Sequence, residues 1–294
     1  MKNSALLLAI LFLGSQIAFA QEIDTLTITG TKLLKSVPYA SAHPQQNLDL
    51  YLPEKATAKI PLLVWIHGGA WKMGYKKWID VAYLTQQGYA IASIDYRFSG
   101  DSIFPAQIRD CNAAIYYLWK NAAQYNLDTA KIIIGGGSAG GHLASLIGTS
   151  QNNHINAFYP YDAAKEKVSI KAVLDFYGPS DFYAFHVDYF ETDKNSTPIN
   201  ELLGASPLVR PDLAKEASPT NYIDKNDPPF LIIHGDKDDL VPLWQSILFK
   251  NSLVLANVRA ELVTIAGAGH AGPAFSAPDI QQKVIAFINS VIKK

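Results

Sequence analysis

Ser138 lies in Gly136-Gly137-Ser138-Ala139-Gly140, a G-x-S-x-G pattern. Small residues at that spacing leave room for a sharp, strained turn that holds out the hydroxyl in its middle. A serine hydroxyl attacks an acyl carbon only with a base in contact and an acid that orients the base. The base candidate is His270 in Gly267-Ala268-Gly269-His270, just past the apolar run 260–265. The acid candidates share one loop, His234-Gly235-Asp236-Lys237-Asp238-Asp239-Leu240-Val241-Pro242. Asp236 follows the turn glycine too closely, which leaves Asp238, with Asp239 as its competitor. Attack at a carbonyl also needs donors for the resulting oxyanion. Ala139 offers the N–H after the nucleophile, and Gly69 and Ala70 of His67-Gly68-Gly69-Ala70-Trp71 offer two more. One such donor contributes ~3 kcal/mol to a transition state.

These residues need a scaffold that gathers them from distant positions. Ile132-Ile133-Ile134 reads as a buried strand running into the Ser138 turn and a helix, whose first N–H groups and dipole favour an anion. Residues 61–66 form a continuous apolar run that ends at His67, and 89–95, 171–178, 229–234 and 260–265 repeat the pattern. Helical patterns fall between them. Tyr75 to Gln87 is expected as a helix closed by Gly88. Residues 105–125 follow, with Ile108, Cys111, Ile115 and Leu118 on one face, then about 243–255 and 279–292. Strand and helix in this alternation predict an α/β fold with a mostly parallel central sheet and right-handed crossovers. In such a sheet the loops at the strands' carboxyl ends carry the site. Before the alternation, Ile23, Leu26 and Ile28, then Leu48, Leu50 and Leu52, suggest early strands along one edge.

The rhythm breaks between about 179 and 228, a stretch rich in Pro, Asn, Asp and aromatic residues that is too long for a simple connector. It is expected as a lid inserted into one domain spanning 21–294. Phe182, Tyr183, Phe185, Tyr189 and Phe190 cluster at its start. Phe182, Tyr183 and Phe185, with Trp71, are candidates for substrate contact, since aromatic faces stack on sugar or phenolic rings; packing of the lid would use them equally well.

Composition narrows the classes of function. The 294 residues are 49% hydrophobic and 17% charged, with net charge -1. That suits a large core and offers no basic surface for nucleic acid. Lys2, the apolar run 5–13 and Ala18-Phe19-Ala20 read as a cleavable signal peptide cut after Ala20. The run is too short for stable membrane insertion, so a secreted or periplasmic location is expected. One cysteine allows no intrachain disulfide, and Cys111 reads as core. The scattered histidines form no metal-ligand spacing, and the chemistry calls for no cofactor. His142, one turn past Ser138, reads as a structural hydrogen-bonder, and His234 as the brace of its own loop.

Together the His67–Trp71, Asp95-Tyr96-Arg97, Gly136–His142, His234–Pro242 and Gly267–His270 motifs resemble α/β-hydrolase carboxylesterases. The likeness is to the hormone-sensitive-lipase-like group, and within it to secreted bacterial feruloyl and acetyl-xylan esterases. It covers nearly all of the chain after residue 20. It implies a triad of Ser138, His270 and Asp238, an oxyanion hole of Gly69, Ala70 and Ala139, and an ester substrate, small or linked to polysaccharide. Two positions depart from the family pattern. Ala70 and Trp71 follow the glycine pair, a form also found in arylformamidases, and Asp239 replaces a frequent proline. Three functions compete: a carboxylesterase, an amide hydrolase of the same fold (arylformamidase or peptidase), and a binding protein that has lost catalysis. The complete set of Ser, His and Asp weighs against the last.

Overall fold

A computed structural model describes residues 28–166, 168–189 and 197–292. The expected signal peptide, Ile23, Leu26 and Phe190 lie outside these. Eight strands form one sheet in the order β1-β2-β4-β3-β5-β6-β7-β8. Their ranges are β1 Thr31–Pro38, β2 Asn47–Pro53, β3 Ile60–Ile66, β4 Ala90–Ile94, β5 Leu127–Gly137, β6 Ile170–Phe176, β7 Phe230–Gly235 and β8 Ala260–Ile265. β1, β2 and β4 pair antiparallel. Every pairing from β4 through β3 to β8 is parallel. The helices are α1 Ala106–Lys120, α2 Ala139–Ser150, α3 Phe182–Tyr189, α4 Pro198–Leu203, α5 Pro211–Glu216, α6 Trp244–Leu255 and α7 Pro278–Ile292.

The strands' near-continuous apolar runs follow from helices covering both faces. Leu62, Val64 and Ile66 of β3 face one core with Ile108, Cys111 and Ile115 of α1, Leu143 of α2 and Phe249 of α6. Leu63 and Trp65, the alternate residues, face the other with Ile280, Val284 and Phe287 of α7. Every residue of α2 is buried, as befits the helix behind the central strand. The edge strands β1 and β8 alternate or stay half exposed.

The pairing register aligns the strands' carboxyl ends. Ile66 pairs with Gly136, Gly137 with Phe176, Phe176 with Ile233, and Gly235 with Ile265. The loops starting at His67, Ser138, Tyr177, Asp236 and Ala266 therefore open on one rim, although they lie far apart in sequence.

Two elements differ from expectation. The helix expected over 75–87 is only a 3-10 turn at Ala82–Gln87, closed by Gly88 with φ 86°. Tertiary hydrogen bonds take the backbone that a longer helix would use. The Lys76 N–H donates to the Asp95 carboxylate at 2.8 Å, and Trp65 Nε1–H donates to the Trp78 carbonyl at 2.7 Å. α1 stops at Lys120, where the Asn121 side chain donates to the Tyr117 carbonyl. The 179–228 stretch holds α3, α4, α5 and a 3-10 turn at Pro219–Asn221. Two capped helix ends are visible in its sequence: Thr197 accepts from the Asn200 N–H, and Gly204 ends α4 in the left-handed region.

Candidate active site

Ser138 joins β5 to α2 with φ 55° and ψ -119°, a conformation costly for a residue with a side chain. Surrounding backbone enforces it. A Cβ at Gly140 would overlap the Ile66 carbonyl, and one at Gly136 would overlap Gly140. Both glycines therefore serve close approach between β3, β5 and the first turn of α2. Ser138 accepts the His142 N–H at its own carbonyl, so the helix begins immediately.

The Ser138 hydroxyl donates to His270 Nε2 at 2.9 Å, and His270 Nδ1–H donates to Asp238 Oδ2 at 2.7 Å. The Asp238 carboxylate has no solvent exposure. Its Oδ1 accepts the N–H groups of Leu240 and Val241, each at 2.9 Å. Burial alone would raise its pKa. Hydrogen bonds from His234, His270 and Val241 outweigh burial and hold it well below the ordinary carboxylate range. A carboxylate kept ionised in this position can fix the tautomer of the histidine it accepts from and can stabilise an imidazolium there. Asp236 instead accepts the Gly267 N–H at 2.7 Å and ties the acid loop to the base loop.

His234 is a partner whose contact with the acid was not legible in sequence. It is fully buried, accepts from or donates to Ser246 Oγ through Nδ1 at 2.7 Å, and its Nε2 lies 2.8 Å from the Val241 carbonyl and 3.2 Å from Asp238 Oδ2. With Nε2 protonated it reaches both ends of the acid loop.

Gly69, Ala70 and Trp71 have φ of 111°, 53° and 57°. Three successive residues in the left-handed region turn the loop toward Ser138. Gly68 packs on the elbow: a Cβ there would lie 2.8 Å from the Gly137 carbonyl. Gly69 and Ala70 line the cavity at Ser138, and Ala139 opens α2, where the first N–H groups have no acceptor within the helix. Trp71 does two jobs. It lines the cavity, and its Nε1–H donates to His142 Nδ1 at 3.1 Å. His142 Nε2–H in turn donates to the Ala217 carbonyl at 2.7 Å. Both bonds require a neutral ring, and burial lowers the His142 pKa to about 4. Burial likewise lowers His67, at the start of the loop, to about 4; its Nδ1–H donates to the Gly68 carbonyl.

The aromatic candidates separate. Phe185 lines the cavity with Trp71. Phe182 does not: it is fully buried and stacks on His142 at 4.5 Å, edge-on to Trp71. Tyr183 is exposed and lines no cavity at Ser138. One face of a short helix points inward and its neighbour outward, so proximity in sequence could not assign them a common role.

Two cavities meet at Ser138, His270, Ala70 and Leu240. One, about 330 Å³, is walled by Trp71, Phe185, Pro179, Pro198, Ile199 and Val241. The other, about 400 Å³, includes Trp65, Met73, Trp78, Asp80 and Tyr177. Among the described residues no cluster of His, Cys, Asp and Glu could hold a metal ion, and no helix is long and apolar enough to cross a membrane.

This sheet, with a serine on the strand-to-helix elbow and a histidine and an aspartate on later rim loops, defines an α/β-hydrolase of the carboxylesterase group. Within it the chain belongs to the BD-FAE family, whose model matches residues 48–253. A truncated carbohydrate esterase from gut microbiota is 32% identical and superimposes with a TM-score of 0.84, over 92% of this chain and 99% of that one. A bifunctional GH43-CE protein from Bacteroides eggerthii is 34% identical with a TM-score of 0.79, over 88% of this chain and 38% of that one. Esterase LipC of Mycobacterium tuberculosis is 30% identical over 240 residues, 77% of this chain and 57% of LipC. The chain thus spans little more than half the length of the curated relatives it matches.

Proposed function

We propose that this protein is a secreted serine carboxylesterase that cleaves short-chain or aromatic acyl esters, including esters carried on carbohydrate. The observation that carries the reading is the hydrogen-bonded chain Ser138–His270–Asp238 opening on the junction of two cavities. Esterase relatives, among them a carbohydrate esterase, support it. A signal peptide at residues 1–20, cut after Ala20, is the basis for proposing export to the periplasm or beyond.

In this reading the Ser138 oxygen attacks the ester carbonyl while His270 Nε2 takes its proton. The imidazolium is stabilised by Asp238, and the tetrahedral oxyanion accepts from the N–H groups of Gly69, Ala70 and Ala139. Collapse of the intermediate breaks the bond to the alcohol oxygen, which receives the proton from His270. Water then gives a proton to His270 and attacks the acyl-enzyme. The acid leaves, and the proton returns to Ser138. The 179–228 insertion acts as the lid, contributing Pro179, Phe185, Pro198 and Ile199 to one wall of the site.

The test is hydrolysis of p-nitrophenyl esters from acetate to decanoate, methyl ferulate, acetylated xylan and N-formylkynurenine by wild type and Ser138→Ala. Turnover of esters by wild type alone is expected. Selective turnover of N-formylkynurenine, or silence from a folded protein, overturns the esterase reading.

A further inference from the structure

The loop that would carry two of the oxyanion donors is strained, and strain persists only where the surroundings over-determine it. Ala70 and Trp71 both lie in the left-handed region, where a side chain is costly. Inside the loop, the Gly69 carbonyl accepts the N–H groups of Lys72 and Met73, each at 3.0 Å. The two ends of the loop meet on one carboxylate oxygen. Asp95 Oδ1 accepts the Lys76 N–H at 2.8 Å and lies 3.6 Å from His67 Nε2. His67 is also held from its other side: its ring stacks on Tyr96 at 4.5 Å, and its carbonyl accepts from the Tyr96 hydroxyl at 3.2 Å. Asp95 is thus a post on which residues 67–76 close.

A lysine holds that post. Lys76 is only 9% exposed, which is rare for lysine. Its ammonium lies 3.6 Å from Asp95 Oδ2, 3.4 Å from Asp49 Oδ1 and 3.1 Å from Ser36 Oγ, and it donates to Asn47 Oδ1. Asp49 is buried and accepts the Ser36 N–H at 2.7 Å. The register of β1 on β2 shifts between Leu34 and Val37, and Ser36 sits in that irregularity with φ 49°. Such irregularities re-aim side chains, and this one brings Ser36 to Lys76. The antiparallel edge therefore supplies Ser36, Asn47 and Asp49 to the ammonium, and Asp95 completes the set. Among the described residues, none on β1 or β2 lines a cavity at Ser138. Burial raises the Asp95 pKa, and Lys76 opposes that rise through its charge and its N–H. A buried cluster of this kind adds little net stability, because desolvation offsets the attraction. Its effect is to fix position.

We infer that Lys76 is a positioning residue for the transition state: through Asp95 it holds the Gly69–Ala70 backbone where the oxyanion forms, and it ties that geometry to the β1–β2 edge. The inference rests on the esterase reading and adds a residue that lies outside all of the motifs behind that reading. Displaced donors weaken the tetrahedral state and leave ground-state binding alone. A displacement of about 1 Å can cost about 10²-fold in rate.

The test variant is Lys76→Met, similar in length and without charge. It is compared with wild type on p-nitrophenyl acetate and on two inhibitors of one skeleton, a trifluoromethyl ketone and the matching methyl ketone. Ser138 Oγ bonds to the carbonyl carbon of the first, the C=O electron pair passes to its oxygen, and the serine proton passes to His270. The second binds without that addition. The variant is expected to lose about tenfold to a hundredfold in kcat/KM and the same factor in affinity for the trifluoromethyl ketone. The methyl ketone should bind it as it binds wild type. Lys76→Gln, which keeps a hydrogen-bonding head, covers the case in which the methionine variant fails to fold. A lower Tm with unchanged kcat/KM and unchanged affinity for the trifluoromethyl ketone overturns the proposal and makes the cluster scaffold only. Equal loss of affinity for both ketones overturns it too, since ground-state binding would then be the property that Lys76 supports. In either case a wild type active on p-nitrophenyl acetate leaves the esterase reading standing. A wild type inactive on that ester brings down both.

Discussion

His142 couples the Gly69–Trp71 loop to the 179–228 insertion, and its protonation state can be tested through stability. The ring accepts from Trp71 and donates to Ala217, each while fully buried. Both bonds need the neutral form. Its pKa falls from 6.5 to about 4 because burial disfavours the cation. In the unfolded chain the ring regains its ordinary value and binds a proton more readily. The stability that His142 contributes is therefore fully present above pH 6.5 and is lost as pH falls toward 4. The full difference corresponds to ~3 kcal/mol, of which ~2 kcal/mol is gone by pH 5.

The perturbation is His142→Phe, which keeps an aromatic ring against Phe182 and removes both hydrogen bonds. At pH 7.5 it should destabilise by about 2–4 kcal/mol, since it leaves the Trp71 N–H and the Ala217 carbonyl unpaired. At pH 5 the gap from wild type should shrink by ~2 kcal/mol, because only in wild type does the unfolded chain gain a proton on this ring that the folded state excludes. The assay is urea unfolding of both proteins at the two pH values. The gap, rather than the absolute stability, is the quantity to read. Asp175 and Asp227, raised by burial to about 6 and about 7, oppose the histidines. Their folded forms hold protons that the unfolded chain releases above 3.8, so they favour the folded state at acid pH and lose that effect as pH rises. A gap constant from pH 7.5 to 5 would refute the neutral, doubly bonded ring.

Ser138→Ala should reduce ester turnover by several orders of magnitude with unchanged thermal unfolding, read by p-nitrophenyl acetate hydrolysis and circular dichroism. Asp238→Asn should lower kcat by about 10³–10⁴, since the amide can hold His270 in the wrong tautomer; Asp239→Asn should not, and equal losses would reopen the assignment of the acid. Gly140→Ala should abolish activity and lower Tm, because its Cβ would overlap the Ile66 carbonyl at the centre of the sheet; a crystal structure with an unmoved elbow would contradict this. His234→Phe should reduce kcat and move the acid limb of the pH profile upward, as Asp238 loses a hydrogen-bond donor. A fall in Tm without that movement would make His234 merely structural.

What could be read from the sequence depended on how local the cause was. β3, β5 and β7 announce themselves because strands covered on both faces carry unbroken apolar runs. The Ser138 elbow is legible because its strain is relieved within five residues, by glycines at fixed spacing. Asp238 and His270 follow from strand endings, since the register fixes where each loop emerges. The 75–87 segment failed for the converse reason: its backbone groups are claimed by Asp95 and Trp65, and no local pattern records that. Phe182 and Tyr183 are adjacent aromatics with opposite environments, a difference set by the packing of α3 on His142. Asp80 and Tyr177, which line one cavity at Ser138, left no signal either. Asp80 sits in a charged, aromatic stretch like many surface segments, and Tyr177 reads as the end of a buried strand. The Ser138 elbow and the strand endings are thus encoded locally, while the residues that wall the two cavities come together only when the chain folds. The shape of the cavities at Ser138 is the part of this protein for which folding, rather than motif, supplies the information, since Phe185, Pro198 and Ile199 meet Trp71 on one wall from more than a hundred residues further along the chain.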